Sequence, residues 1–163
     1  MGNRLLTLSL LLALSALTRA QGPGPPPCQP FGTNYCSAGA NSVSPQGATL
    51  FGLCGIGIAS NDLTLLCEFI GAGQPAVFFH GPTQIQTPFG DGFRCVGGSL
   101  VRLWPPTVAN GSGTVLHNFD NTGPGGVGVA AGATRNFQCW YRDPAGGPAG
   151  FNLSDGLAIT FAP

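Results

Sequence analysis

Apolar and polar residues alternate in short runs along most of the chain, and clusters of Gly, Pro, Asn and Asp interrupt them. Past residue 30 no segment keeps apolar positions at i, i+3, i+4 and i+7 over three turns, the stripe a helix needs to cover a core. Period-two runs bounded by turn residues predict strands instead. Leu50, Cys54, Ile56 and Ile58 mark one strand, and Leu63, Leu65, Cys67 and Phe69 mark the next. Ser60-Asn61-Asp62 supplies the turn between them. Further strands are expected over 76–80, 93–96, 100–103, 113–119, 127–130, 136–142 and 157–161, with a turn at Asn110-Gly111. This pattern predicts an all-β fold: a single antiparallel β-sandwich of about eight strands, jelly-roll or Ig-like, stabilised by disulfides.

Ahead of the strands, residues 1–20 read as a secretory signal peptide. Arg4 is the positive start, 5–17 the apolar stretch, and Thr18-Arg19-Ala20 a small-residue cleavage site before Gln21. The apolar stretch is short for a bilayer crossing, and nothing later is long and apolar enough to span. The mature chain is therefore expected outside the cytosol, secreted or held at the cell envelope. Residues 21–33, rich in Pro and Gly, read as an extended arm, and 34–163 as one domain.

Composition narrows the partners. There is no Lys, and past residue 20 four arginines stand against six acidic residues, a formal charge of −2. No basic patch can neutralise phosphates, so no nucleic-acid partner is expected and anionic membrane surfaces are poor partners. An exported chain with six cysteines is expected to form three disulfides. A hairpin centred between Ser60 and Asn61 sets Cys54 opposite Cys67 on one face, which predicts that pair. Phe93-Arg94-Cys95 and Phe137-Gln138-Cys139 repeat one pattern and predict Cys95–Cys139, leaving Cys28–Cys36. No pair has the C-x-x-C spacing of a redox centre or zinc knuckle.

Several blocks occur in order: Asn34-Tyr35-Cys36, Asn41-Ser42, 60–65 (SNDLTL), 88–98 (PFGDGFRCVGG), 136–143 (NFQCWYRD) and 151–157 (FNLSDGL). Over 34–161 this pattern resembles an uncharacterised family of secreted β-sandwich domains plentiful in planctomycetes and other environmental bacteria. The Trp-Tyr-Arg-Asp and Asn-Leu-Ser-Asp-Gly blocks are its specific part. The resemblance implies a fold and export, and no catalytic residues. Relatives often carry a cysteine after the last strand, where this chain reads Phe161-Ala162-Pro163.

Candidate chemistry is sparse. His80 and His117 could act as a base or, with Asp120, hold a metal, but each reads more simply as a strand end at the rim. Ser99, Ser112 and Ser154 lack the G-x-S-x-G elbow of a nucleophile. No cofactor is expected; calcium on loop aspartates is the one candidate, with Asp143 and Asp155 preferred. Along 137–142, Phe137, Cys139 and Tyr141 share one face and Gln138, Trp140 and Arg142 the other. If the first set is core, the second displays an amide, an indole and a guanidinium, a set suited to sugar rings or a partner surface. Trp104, before two prolines, is a second such aromatic.

These features favour a non-catalytic extracellular module with a structural, adhesive or protein-contact role. The alternative is a carbohydrate-binding module using Trp140, Trp104, Arg142 and Gln138. A hydrolase built on His80 or His117 ranks third. A cell-surface protein or a polysaccharide is the expected partner, and the oligomeric state stays open.

Overall fold

The computed structural model describes residues 28–163; the expected leader, 1–20, and residues 21–27 of the arm lie outside the described residues. In chain order the strands begin β1 (Pro30–Phe31), β2 (Thr33–Tyr35), β3 (Thr49–Leu53), β4 (Thr64–Glu68), β5 (Pro75–Gly81), β6 (Thr83–Phe89) and β7 (Gly92–Gly97). They continue with β8 (Val101–Arg102), β9 (Thr107–Val108), β10 (Val115–Asn118), β11 (Thr134–Arg142), β12 (Phe151–Leu153) and β13 (Gly156–Thr160). Two antiparallel sheets form a β-sandwich, one ordered β1-β3-β4-β10 and the other β2-β13-β11-β5-β8. Strand β12 extends the β13 position along β11, and β9 extends the β8 position along β5.

The core follows the period-two pattern. Leu50, Leu65 and Cys67 from the first sheet meet Phe78, Phe137, Cys139 and Tyr141 from the second, all at most 1% exposed. Residues two apart on a strand share a face, so one apolar set per strand suffices to seal this layer. Tyr141 keeps its hydroxyl satisfied inside the core by accepting from Asn41 Nδ2 at 2.8 Å.

The register corrects the cysteine reading. Leu50, not Cys54, faces Cys67. Strand β3 stops at Leu53, Cys54 takes a left-handed φ of 79°, and the chain runs on to β4 as a long connection, not a tight turn. Gly57 in that connection bridges Ala162, which takes Ile56 and Ile58 off any ladder with β4. Cys54 is bonded to Cys28, and Cys95 to Cys36; Cys67 and Cys139 are buried thiols. The expected pairs Cys54–Cys67, Cys95–Cys139 and Cys28–Cys36 are all replaced. The shared aromatic-polar-cysteine pattern misleads because Cys95 sits in β7, outside the sandwich, while Cys139 faces its interior.

Other boundaries shift too. The arm is structured from Cys28 onward, with β1 paired to β3 and β2 to β13. Residues 127–130 form no strand; a single 3-10 turn, Pro124–Gly126, precedes them, and Gly128 at φ 77° lies where a Cβ would strike the Arg135 guanidinium. The sequence pattern predicts no strand at 83–89, yet β6 forms there and pairs with β7 in the hairpin that shapes the site.

Candidate functional site

The β6–β7 hairpin folds back over the outer face of the second sheet. Its turn fits only glycine at position 90, where φ is 64° and a Cβ would run into the Phe151 ring. Beside it Asp91 accepts from Ala149 N at 3.1 Å and Gly150 N at 3.0 Å, and its own amide donates to Phe151 O at 3.1 Å. The Cys36–Cys95 disulfide and a 3.0 Å bond from the Tyr35 hydroxyl to Cys95 O hold the other strand.

Gln138 fastens the hairpin from below. Its Oε1 accepts from Cys95 N at 2.9 Å, and its Nε2 donates to Phe93 O at 2.8 Å and Ser154 O at 2.7 Å. The side chain is fully buried, which corrects the expectation of an amide displayed on an open face. The facing prediction holds, but the hairpin covers that face. Beneath the hairpin Phe79, Val96 and Leu153 make a second small core, with Trp140 and Phe151 packed against it.

Where the hairpin stops, a groove of about 650 Å³ opens on the same face. Val77 and Phe79 from β5, Trp140 from β11 and Leu153 from β12 contribute from the sheet. Phe89 and Arg94 line it from the hairpin, and Leu100, Arg102 and Trp104 from the segment around β8. Trp104 is 65% exposed, Phe89 46% and Leu100 43%. The Trp140 ring is half-buried, 5.7 Å from Phe151, which lies 5.4 Å from Phe89. The Arg94 guanidinium carbon sits 5.9 Å from the Phe89 ring centre, a cation–π arrangement, and the Arg94 Nε is buried without an acceptor.

Of the expected ligand set, the structure thus brings Trp104 and Trp140 together on one groove. Gln138 is buried beneath the hairpin, and Arg142, exposed at the end of β11, does not line the groove. Arg94, Arg102, Phe89 and Leu100 were missed. The one local signal for them was Phe89 directly before Gly90-Asp91-Gly92, a bulky apolar residue at the edge of a turn.

The other candidates are occupied elsewhere. His80 is fully buried; its Nε2 donates to Gly125 O at 2.7 Å and its ring lies 5.2 Å from Phe137. Burial pushes its pKa down, against the Gly125 bond, which favours the charged ring. His117 stacks 5.8 Å from Phe78, and burial lowers its pKa also. Asp120 accepts from Thr122 and Asn61, bonds that pull its carboxyl down to about 2. His117 and Asp120 both line a smaller groove of about 310 Å³, alongside Arg102 and Trp104. Ser154 is buried, its hydroxyl donating to Asp155 O and accepting from Cys139 N.

Asp143 and Asp155 serve the backbone. Asp143 accepts from Ser42 N at 3.1 Å, while Asp155 accepts from Leu50 N and Asn34 Nδ2, each at 2.8 Å. Burial pushes the Asp155 carboxyl up to about 6 despite those bonds. Among the described residues no three His, Cys, Asp or Glu side chains converge as a metal site.

Comparison with family models, curated proteins and solved structures returned no match. The two disulfides fit an extracellular setting, and no helix among the described residues is long and apolar enough to cross a membrane.

Proposed function

We propose that this chain is an exported, non-catalytic binding module and that the groove beside the β6–β7 hairpin receives a saccharide. The observation that carries this reading is Trp104, 65% exposed on an apolar groove that Trp140 also lines. An exposed indole costs solvation and gains nothing by itself; against the apolar face of a sugar ring it gains contact area. The rest of the groove is built from strands and a pinned hairpin, so little order has to be imposed on binding. The leader and the resemblance to secreted bacterial domains fit the same reading.

The hydrolase reading draws no support from His80, whose Nε2 is spent on Gly125 O. A protein partner remains the second reading, because Phe89, Leu100 and Trp104 together would also accept an apolar side chain. Affinity electrophoresis of the folded domain through a panel of polysaccharides separates the two. Retardation by at least one polysaccharide, reduced about tenfold or more by Trp104→Ala at unchanged thermal midpoint, is the expected result. No retardation by any member overturns the saccharide reading.

A further inference from the structure

We propose that the saccharide this groove selects is anionic, held by the Arg94 and Arg102 guanidinium groups while Trp104 stacks on the ring; this rests on the saccharide reading above. Two arginines line the groove, and none of the side chains lining it is acidic. Among the described residues, no carboxylate pairs with either arginine. In a chain whose described residues carry four arginines against six acids, two guanidiniums on one groove without a carboxylate partner are a local charge separation; Asp120, on the smaller groove that Arg102 also borders, accepts from Asn61 and Thr122 instead. Arg94 keeps its Nε buried without an acceptor, so it is the terminal nitrogens of its guanidinium that can meet a ligand. Its guanidinium lies against Phe89, which fixes the fork that a carboxylate or sulfate accepts from in two parallel bonds. A neutral sugar would leave both forks to water; an anionic one matches the groove's charge.

The test uses matched probes on the full domain. These are polygalacturonate against its methyl ester, hyaluronan against its carboxyl-reduced form, and dextran sulfate against dextran. Binding is read by calorimetry. The expected result is that at least one acidic probe binds ten-fold or more tightly than its neutral match. Arg102→Gln, an exposed position, should erase most of that difference at unchanged thermal midpoint. Equal affinity within all three pairs overturns the anionic assignment and leaves the saccharide reading standing. Binding of neither member in any pair, with an empty neutral panel, overturns both.

A separate observation carries a second inference: Cys67 and Cys139 close a third disulfide, joining the two sheets through the core, when the chain folds in an oxidising compartment. Both are fully buried, one in β4 and one in β11, on facing inner surfaces of the sandwich. Both belong to the same buried cluster between the sheets, Cys67 beside Leu65 on β4 and Cys139 between Phe137 and Tyr141 on β11. Oxidation joins the two sulfurs and releases two protons and two electrons, which reduce the disulfide of a thiol–disulfide oxidoreductase to its dithiol. The bond must form before the core closes. In the folded protein burial, with Cys139 alongside, pushes the Cys67 thiol well up, so it is a poor nucleophile.

Protein secreted into a bacterial periplasm is unfolded in guanidinium with excess iodoacetamide and no reductant, then mapped by mass spectrometry. We expect no alkylated cysteine and a linked Cys67–Cys139 peptide. Alkylation at both positions, or any other partner for Cys67, overturns the inference.

Discussion

Cys95 and Gln138 meet through one 2.9 Å hydrogen bond that runs from the hairpin to the sheet beneath it. The same amide also reaches Phe93 and Ser154, so one buried side chain ties the hairpin, β11 and the break between β12 and β13. Gln138→Leu keeps the volume and strands three backbone groups. It is expected to cost about 2–4 kcal/mol, read as a lower urea midpoint. An unchanged midpoint would mean the hairpin is held without it.

The Cys36–Cys95 disulfide spans 59 residues and pins the hairpin, whereas Cys28–Cys54 spans 26 and pins the start of β1. Losing either shortens the list of constraints on the unfolded chain, worth about 4 and about 3.5 kcal/mol in the loop-entropy account. Only the Cys36→Ser/Cys95→Ser variant should also speed amide exchange across β7 in the folded protein. Equal β7 protection in both double variants would place the hairpin's anchorage elsewhere.

Asp155 sets a pH dependence of definite sign. Its carboxyl is raised from 3.8 to about 6 by burial, so the folded state holds a proton that the unfolded state has already released. The stabilisation is fully present below about pH 4 and is lost as pH rises through about 6. Solvent reaches part of the group, so a loss of about 1–2 kcal/mol is expected across that window. Asp120, pulled down to about 2, titrates below it. His80 and His117, whose pKa values burial lowers, push stability the other way in parent and variant alike, so the sign is read from the difference between them. Parent minus Asp155→Asn should fall from about pH 4 to about pH 6; a difference that rises there would contradict the assignment.

Gly90 and Gly73 both have left-handed φ, 64° and 75°, but only at Gly90 would a Cβ meet the Phe151 ring, while Gly73 faces open space. Gly73→Ala should therefore cost only the backbone strain, about 1 kcal/mol. Gly90→Ala should cost more, by calorimetric midpoint, and should disturb the groove wall at Phe89. Equal costs would remove Phe151 as a buttress of the turn.

The fold class was legible because burial enforces alternation: Phe137, Cys139 and Tyr141 in β11 carry their facing in their order. Strand β6 was not legible. Thr83–Phe89 reads Thr-Gln-Ile-Gln-Thr-Pro-Phe and is mostly exposed, so it buries too little apolar surface to leave a pattern, and Pro88 is tolerated there because the hairpin has only two strands. With β6 unseen, the cover over Gln138 and the groove beside it were invisible. The aromatics Trp104 and Trp140 could be singled out by type, but their meeting, like the disulfide pairing, depends on strand order far apart in sequence.

The chain has two tryptophans, and both line the groove, so its two indole N–H signals report directly on the site. The decisive measurement is a nitrogen–proton correlation spectrum of the labelled domain, titrated with the acidic oligosaccharide that binds best. The account predicts that the Trp104 and Trp140 indole signals both move and saturate together. Saturable binding that leaves both signals in place would contradict it.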